Sequence, residues 1–413
     1  MINKTDIVIL AAGKSSRFWP LSEDSHKSMT PLLGKPILEY MLLELKKAGV
    51  LKVILVVSEP GKKYFETRKR LGISIDYIIQ KEPLGQANAI LAAKDKIASN
   101  NFFVLNAYQL NAAEFLKNLI DFKDEKKADL VILGKKTDNP SNYGIFALSG
   151  EKVKQIIEKP KKGEAPSNIR AAGVYLLNKD FLTFMLKQKT EEYQLETALT
   201  KFCQNNKVFT YITDKQTLTL KYPWHFLSIK DYLFKSINGS ISPKANISKT
   251  AVLKNPNKII IENEATVGDF ALIEGPAYIG PGAVLGAYSI LRKGSILEKG
   301  AEAQRYCDIS NSIIFKNSHI HSGFVGDSVI AENCRIGADF ITANRRLDRN
   351  EVNTLVKNKI VNTCLASFGT IIGANTKMGI RVSVMPGKII GKNCSIGAGE
   401  IITKNLADNS KVL

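Results

Sequence analysis

The 413-residue chain is 44% hydrophobic and carries 58 Lys and Arg against 39 Asp and Glu, a formal net charge of +19. That length accommodates two or three domains with sizeable cores, and the hydrophobic share excludes a disordered chain. No apolar run approaches the roughly 18 residues that a membrane helix needs, so no span is expected.

The N-terminus enters an apolar run almost at once, so no signal peptide is expected. The five cysteines (Cys203, Cys307, Cys334, Cys364, Cys394) form an odd set without C-x-x-C spacing. Reduced thiols in the cytoplasm are therefore expected, each cysteine buried and structural. The positive charge suits an anionic substrate such as a nucleotide or sugar phosphate. Lysine scattered over solvated faces gives the same total, and no aromatic–basic repeat or RNA-module motif supports a nucleic-acid partner.

The first stretch with a chemical reading is 6–40. Ile7-Val8-Ile9-Leu10 is too short for a helix and reads as a buried strand. It runs through Ala11-Ala12 into Gly13-Lys14-Ser15-Ser16-Arg17, a small-residue turn rich in backbone N–H groups and carrying two cations. Lys27 follows, and Lys35-Pro36 precedes a helical pattern through Ile37, Tyr40, Met41, Leu43 and Leu45. A strand, a Gly/Ser turn, cations and a helix read as a phosphate-handling βα unit. An ordinary βα turn with a stray arginine is the bland alternative.

From residue 1 to 235 strands and helices alternate. Strands are predicted at 53–57, 102–105, 130–133, 144–148 and 174–177, and helices at 36–48, 87–98, 112–122 and 193–203. This spacing predicts an α/β sheet with helices on both faces and a ligand crevice at the carboxyl ends of the strands. Residues 236–242 read as a linker. After it the texture changes. Ile261, Val267, Ile273, Ile279, Leu285, Leu291 and Leu297 recur every six residues, as do Ile372, Met378, Val384, Ile390, Ile396 and Ile402, with glycine beside many of them. A six-residue apolar period is the signature of a parallel β-helix over 243–413, three short strands to a turn. Residues 342–368 break the period and read as an excursion from one coil.

In 6–40, the residues Leu10-Ala11-Ala12-Gly13-Lys14-Ser15-Ser16-Arg17, Pro20-Leu21, His26-Lys27 and Pro31-Leu32-Leu33-Gly34-Lys35-Pro36 together resemble the sugar-1-phosphate nucleotidylyltransferase signature. That signature reads L-A-A-G-x-G-T-R, P-L, P-K and P-L-x-x-K-P. The resemblance implies a Rossmann-like domain in which Leu10 through Ser16 bind the nucleotide and Arg17 and Lys27 assist transfer; Ser15 stands where the family has glycine. Gln80 and Gly85, in Gln80-Lys81-Glu82-Pro83-Leu84-Gly85-Gln86-Ala87, fall on its base-reading segment. Tyr143-Gly144, Glu158-Lys159-Pro160 and Gly173 fall on its sugar-side motifs, with Ala171 in place of the sugar-contacting asparagine. Glu192-Tyr193-Gln194-Leu195 matches E-Y-Q-L.

The family's Mg²⁺ carboxylates correspond to Tyr108, in Leu105-Asn106-Ala107-Tyr108-Gln109-Leu110, and His225, in Pro223-Trp224-His225. A neutral phenol and an imidazole are poor ligands for Mg²⁺, so nucleotidyl transfer is expected to be weakened or lost. The bland reading makes Tyr108 a half-buried aromatic and His225 a capping or surface residue.

The second half resembles the acetyltransferase part of bifunctional uridylyltransferase/acetyltransferases, with a left-handed β-helix. His321, in His321-Ser322-Gly323-Phe324-Val325-Gly326-Asp327, falls on the catalytic base of H-x-x-Y-V/L-G-D, and Asn344 on a sugar contact. Phe324 replaces the family's tyrosine, Asp339-Phe340 its Gly-Thr, and Ala366-Ser367 its phosphate-binding cations. A histidine suits acetylation of an amine because its pKa lies near neutrality. The resemblance implies acetyl-CoA, a nucleoside triphosphate and a sugar phosphate as substrates, and a homotrimer or other homo-oligomer. Relatives of this plan also serve as non-catalytic regulatory or scaffold subunits beside a catalytic paralogue, which is the alternative expectation.

Overall fold

The computed structural model describes residues 2–21, 26–66 and 71–413. By its contacts the chain divides into two compact units. The first holds residues 2–14, 26–30, 36–66 and 71–219; the second holds 15–21, 31–35 and 220–413.

In the first unit, apolar residues alternate along short β-branched runs, and this period of two gives each strand two buried faces. The sheet has nine strands, ordered Ser74–Ile79, Lys52–Val57, Asp6–Ala11, Asn101–Asn106, Ile169–Asn178, Leu130–Lys136, Val208–Ile212, Lys152–Glu158, Gly144–Ser149. The first four are parallel, with Leu10 opposite Val56 and Asn106. Ile169–Asn178 runs antiparallel to both of its main neighbours. Ile7, Ile9 and Ala11 face one core with helices Ile37–Lys47 and Leu116–Lys126. Val8 and Leu10 face the other with helices Gln86–Ala92, Lys179–Leu186 and Gln194–Phe202. Helices therefore cover both faces, as the alternation predicts.

Several boundaries differ from the sequence expectation. The helix predicted to reach residue 98 stops at Ala92 and tightens into a 3₁₀ turn over Lys94–Lys96. The Asp6 carboxylate accepts the N–H groups of Ala98 and Ser99 and so fixes the turn that follows. The helix predicted from 112 begins as a 3₁₀ turn and becomes α-helical at Leu116. The strands Ser74–Ile79, Lys152–Glu158 and Val208–Ile212 lie outside the predicted set; the first is partly exposed, and the other two interleave charged or polar residues.

The second unit is the left-handed parallel β-helix that six-residue repeats form. Three sheets of eight, nine and eight short parallel strands stack around one core. All thirteen aliphatic positions of the two six-residue grids lie in that core. Where the period is regular, a turn takes eighteen residues, as in Leu291 opposite Ile309. Between the grids the turn tightens to sixteen, with Ile309 opposite Val325 and Ile314 opposite Ile330. Five-residue steps hide this region from a six-residue pattern. Corners need left-handed backbone, supplied by Asn311, Asn317, Asn333, Asn375, Asn393 and Asn409, residues that tolerate it through their short polar side chains.

Helix His225–Ser236 and the segments 15–21 and 31–35 cluster with this unit. The expected linker 236–242 is partly a strand, because Ser240–Ile241 already pairs with Ile260–Ile261. The excursion carries an antiparallel hairpin, Asn353–Val356 with Lys359–Asn362. Four cysteines are buried, whereas Cys364, on the excursion, is exposed; its burial was an expectation that the structure corrects.

Candidate active sites

The signature residues of the first unit gather at the carboxyl ends of its parallel strands. Leu10 and Ala11 are buried in their strand, Ala12 is half-buried, and Gly13 and Lys14 are exposed. Leu10 C=O accepts the Ala107 N–H, which ties this turn to the one after Asn101–Asn106. Gln80 Nε2 donates to Asn88 Oδ1 at 2.7 Å and to Gly85 C=O at 3.3 Å. At Gly85 φ is +100° and a Cβ would stand 2.5 Å from Glu192 C=O, so only glycine fits.

Among the residues expected to face the sugar, Glu158 lies against Gly144, whose Cβ would meet Glu158 Oε2 at 2.8 Å. Lys159 Nζ reaches Glu158 Oε1 at 3.3 Å and donates to Tyr193 Oη at 2.8 Å. Nearby Glu196 is pushed up to about 7, by burial first and by Glu158 second. Gly173, at φ +74°, leaves room for the Asn106 amide, which a Cβ would meet at 2.8 Å. Glu196 and Arg170 carry charge that sequence reasoning left without a role. The signal for Arg170 was a permanent cation inside the apolar strand Ile169–Asn178.

Tyr108 follows Asn101–Asn106 and is half-buried. Lys27 Nζ sits 3.7 Å from its ring centroid, a cation–π contact, and buried His26 stacks on it at 6.1 Å. The position that would carry a carboxylate therefore presents a neutral phenol beneath an ammonium.

Ser15, Ser16, Arg17 and His225 belong to the second unit. Ser15 is left-handed at φ 51°. The backbone thus keeps the conformation that glycine adopts freely, at a cost of about 1–2 kcal/mol for an L-residue. His225 Nδ1 accepts the Lys221 N–H at 3.2 Å, and its ring meets Tyr222 and Trp224 edge-on. That nitrogen is engaged with the backbone of the segment preceding the helix that His225 opens. Mg²⁺ requires hard oxygen donors in octahedral array. A phenol facing an ammonium and an imidazole committed to a backbone N–H do not fit it. Among the described residues no group of three or more His, Cys, Asp or Glu could hold a metal ion.

In the β-helix His321 is exposed, on the corner that follows His319–Ile320. Gly323, which opens the next strand, Gly323–Gly326, has φ +126°, and a Cβ there would stand 2.0 Å from Phe340 C=O. Phe324 and the Asn344 amide both close on Gly326, where a Cβ would meet them at 2.6 and 2.8 Å. Asp327 accepts from Asn344 Nδ2 and from Asn311 Nδ2, fixing the Asn344 amide. Arg345 Nε donates to Ser367 Oγ at 3.1 Å, so a guanidinium reaches the segment that lacks the family's cations. Sequence reasoning missed Arg345 because it is adjacent in space and twenty-two positions away in the chain.

A nucleotidyltransferase-type sheet with a signature turn, followed by a hexapeptide β-helix with a histidine on its corner, defines a two-part sugar-nucleotide transferase class. Residues 6–218 match the nucleotidyl transferase family model. The chain is 36% identical to a "Bifunctional protein GlmU" of Methanococcus maripaludis, covering 98% of this chain and 97% of that protein. It is 35% identical to the GlmU of Methanocaldococcus jannaschii over the same shares. It is 31% identical to the "Bifunctional sugar-1-phosphate nucleotidylyltransferase/acetyltransferase" of Sulfurisphaera tokodaii, covering 96% and 97%. A Bacillus anthracis structure assigned as a glucose-1-phosphate thymidylyltransferase shares the fold at 17% identity and TM-score 0.50, over 57% of this chain and 97% of that one. The chain belongs to the sugar-1-phosphate nucleotidylyltransferase/acetyltransferase family.

Proposed function

We propose that this protein is a sugar-nucleotide biosynthesis transferase whose first unit retains a nucleotide and sugar-phosphate pocket but transfers nucleotidyl groups weakly or not at all. In this reading the β-helix acetylates an amino sugar from acetyl-CoA. The observation that carries the first part is Lys27 above the Tyr108 ring. In-line attack on a triphosphate depends on neutralising developing charge, and the two positions that would anchor a divalent ion supply no carboxylate.

In the second part His321 takes the proton of the attacking amine as the new C–N bond forms at the thioester carbonyl. The C–S bond then breaks, the thiolate leaves, and a proton restores the thiol, giving an amide and coenzyme A. Asn344, held by Asp327, orients the acceptor. Association of solenoids into a homotrimer belongs to the same reading and is checked by light scattering.

The test is a paired assay on the purified full chain, measuring pyrophosphate release from a nucleoside triphosphate with a sugar 1-phosphate and thiol release from acetyl-CoA. The expected result is acetyl transfer that His321→Ala abolishes, with slow or absent nucleotidyl transfer that Tyr108→Asp plus His225→Asp restores. Nucleotidyl turnover at an ordinary enzymatic rate, about 1 per second or faster, overturns the first part. Unchanged acetyl transfer in His321→Ala overturns the second. Ligand binding without either turnover, in stable complex with a catalytic paralogue, would instead mark a regulatory subunit.

A further inference from the structure

One edge of the β-helix carries a ladder of left-handed corner residues. Phe270, Tyr288, Tyr306, Asp339 and Arg381 each have φ between 54° and 58°. Each lies three residues beyond a strand of the nine-stranded sheet, the strands ending at Val267, Leu285, Ala303, Ile336 and Met378. The first three are exposed aromatics whose rings stack at 5.1 and 5.4 Å. The ladder then skips a coil. In the coil of His321 the corner is one residue shorter, because Gly323 stands opposite both Cys307 and Phe340, the residues that follow Tyr306 and Asp339. The aromatic run therefore ends on Tyr306, and the next rung, Asp339, lies two coils on.

The skipped rung leaves a notch on the corner that bears His321. Neighbouring strands repeat at about 4.8 Å, so the Tyr306 and Asp339 backbones stand roughly 10 Å apart, the height of one empty rung. A six-membered ring placed there meets the Tyr306 face at the spacing the tyrosines already adopt. The short corner supplies no ring of its own. Ser322 Oγ accepts the Asp339 N–H at 2.9 Å, and Gly323 has no room for a Cβ. The Asp339 carboxylate is exposed, and its contacts are long: 3.5 Å from Ser322 Oγ and 3.7 Å from Arg381 Nε. A carboxylate has about four lone-pair sites, so acceptor capacity remains. From the notch the strand Gly323–Gly326 runs about 10 Å to the place where the Asn344 amide closes on Gly326.

We propose that Tyr306 and Asp339 hold the amine-bearing end of the acyl acceptor, an amino sugar, in the notch beside His321. The apolar face of the sugar ring lies on the Tyr306 ring, whose face carries negative charge that attracts C–H groups. Asp339 accepts an N–H of the amine, a charge-assisted bond that places the nitrogen on the corner of the base. The rest of the sugar extends along Gly323–Gly326 toward Asn344. The inference rests on the acetylation proposed above and names two residues that choose its acceptor.

The experiment measures thiol release by the full chain, with glucosamine 1-phosphate varied at saturating acetyl-CoA and then acetyl-CoA varied at saturating amino sugar. Asp339→Asn, which keeps a residue suited to left-handed backbone, should raise the KM for the amino sugar at least about tenfold, the loss of one charge-assisted hydrogen bond. Tyr306→Leu should raise it at least about threefold, the loss of an aromatic face. Tyr306→Phe, which keeps the face, should lie nearer the native value. In each variant kcat should change less than that KM, the KM for acetyl-CoA should stay within about twofold, and the melting temperature should hold, since both side chains are exposed. A general loosening of the coil would instead move kcat, both KM values and the melt together. An unchanged amino-sugar KM in Asp339→Asn or Tyr306→Leu, or an equal rise for acetyl-CoA, overturns the notch while leaving acetylation intact. No thiol release from the native protein overturns acetylation, and the notch with it.

Discussion

Replacing His26 with asparagine should remove an acid sensitivity from the first unit. The His26 ring is buried; Nδ1 accepts the Ser28 N–H at 3.3 Å and lies 2.7 Å from Ser28 Oγ, so it caps the short turn that presents Lys27. Burial first, and the neighbouring Lys27 charge second, push the imidazole down to about 3 from its ordinary 6.5. Below pH 6.5 the unfolded chain takes up a proton that the folded chain refuses. The stability contribution is therefore complete above pH 6.5 and is lost progressively as pH falls from 6.5 toward 3. At roughly 1.4 kcal/mol per unit, the loss at pH 5 is about 2 kcal/mol. Asparagine keeps an acceptor suited to a cap but does not titrate. Both tryptophans, Trp19 and Trp224, lie in the second unit, so their fluorescence does not report this event. Amide hydrogen exchange resolved to the peptides around Lys27–Met29 and Asp6–Ala11 does. Native protein should lose protection there between pH 6.5 and 5 after correction for intrinsic rates, and His26→Asn should lose much less. Equal losses in the two proteins would refute a buried neutral histidine.

In the second unit Glu298 is buried and accepts the Gly34 N–H at 3.1 Å, and burial pushes its carboxyl up to about 7 from 4.5. Here the folded state binds the proton more tightly, so stability falls as pH rises from 4.5 through 7. Glu298→Gln, which keeps the acceptor, should raise the melting temperature by several degrees at pH 8, on the order of 3 kcal/mol, and by little at pH 4.5. Gly323→Ala should lower the melting temperature of the β-helix and abolish acetyl transfer, because the Phe340 carbonyl blocks any Cβ; an unchanged melt would contradict the coil geometry. Of five thiols only Cys364 should react rapidly with a disulfide reagent, since burial pushes Cys307 and Cys334 up to about 12 and Cys203 to about 11. Mass mapping of the first labelled site checks this.

The parts of the fold legible in the sequence were those with a strict period. Strand pairs such as Ile7 with Ile9 and Val8 with Leu10 divide between two cores, and the six-residue grids mark the coil interior directly. What escaped was whatever depends on a neighbour distant in the chain. The tightened turns around Ile309, Val325 and Ile330 keep their register through partners one coil away, and a fixed period does not register a change from eighteen residues to sixteen. The glycine signature at Ser15 lost its residue type but kept its left-handed backbone, so composition read a departure where conformation is preserved. At the candidate sites, residue identities were legible and electrostatic partners were not. Lys27 stood in a motif, yet its place above Tyr108 follows only from the fold.

Those partners change what the loss of two carboxylates means. Had Tyr108 simply replaced an acid, the Lys27 ammonium beside it would have lost an attractive neighbour with nothing in exchange. The structure instead disperses that charge. The Lys27 ammonium lies on an aromatic face, and the Arg170 guanidinium lies on another, with a hydroxyl and a carbonyl taking two of its protons. An aromatic face attracts a cation through its ring quadrupole and carries no counter-charge. A site arranged this way is suited to receive an anion and poorly suited to release pyrophosphate, because fixed side chains do not follow charge as it moves to the leaving group. Restoring Asp at 108 and 225 should therefore raise turnover in Mg²⁺ while it removes the aromatic face that now meets Lys27. Unchanged turnover would mean that charge dispersal on aromatic faces is not the reason the carboxylates are dispensable.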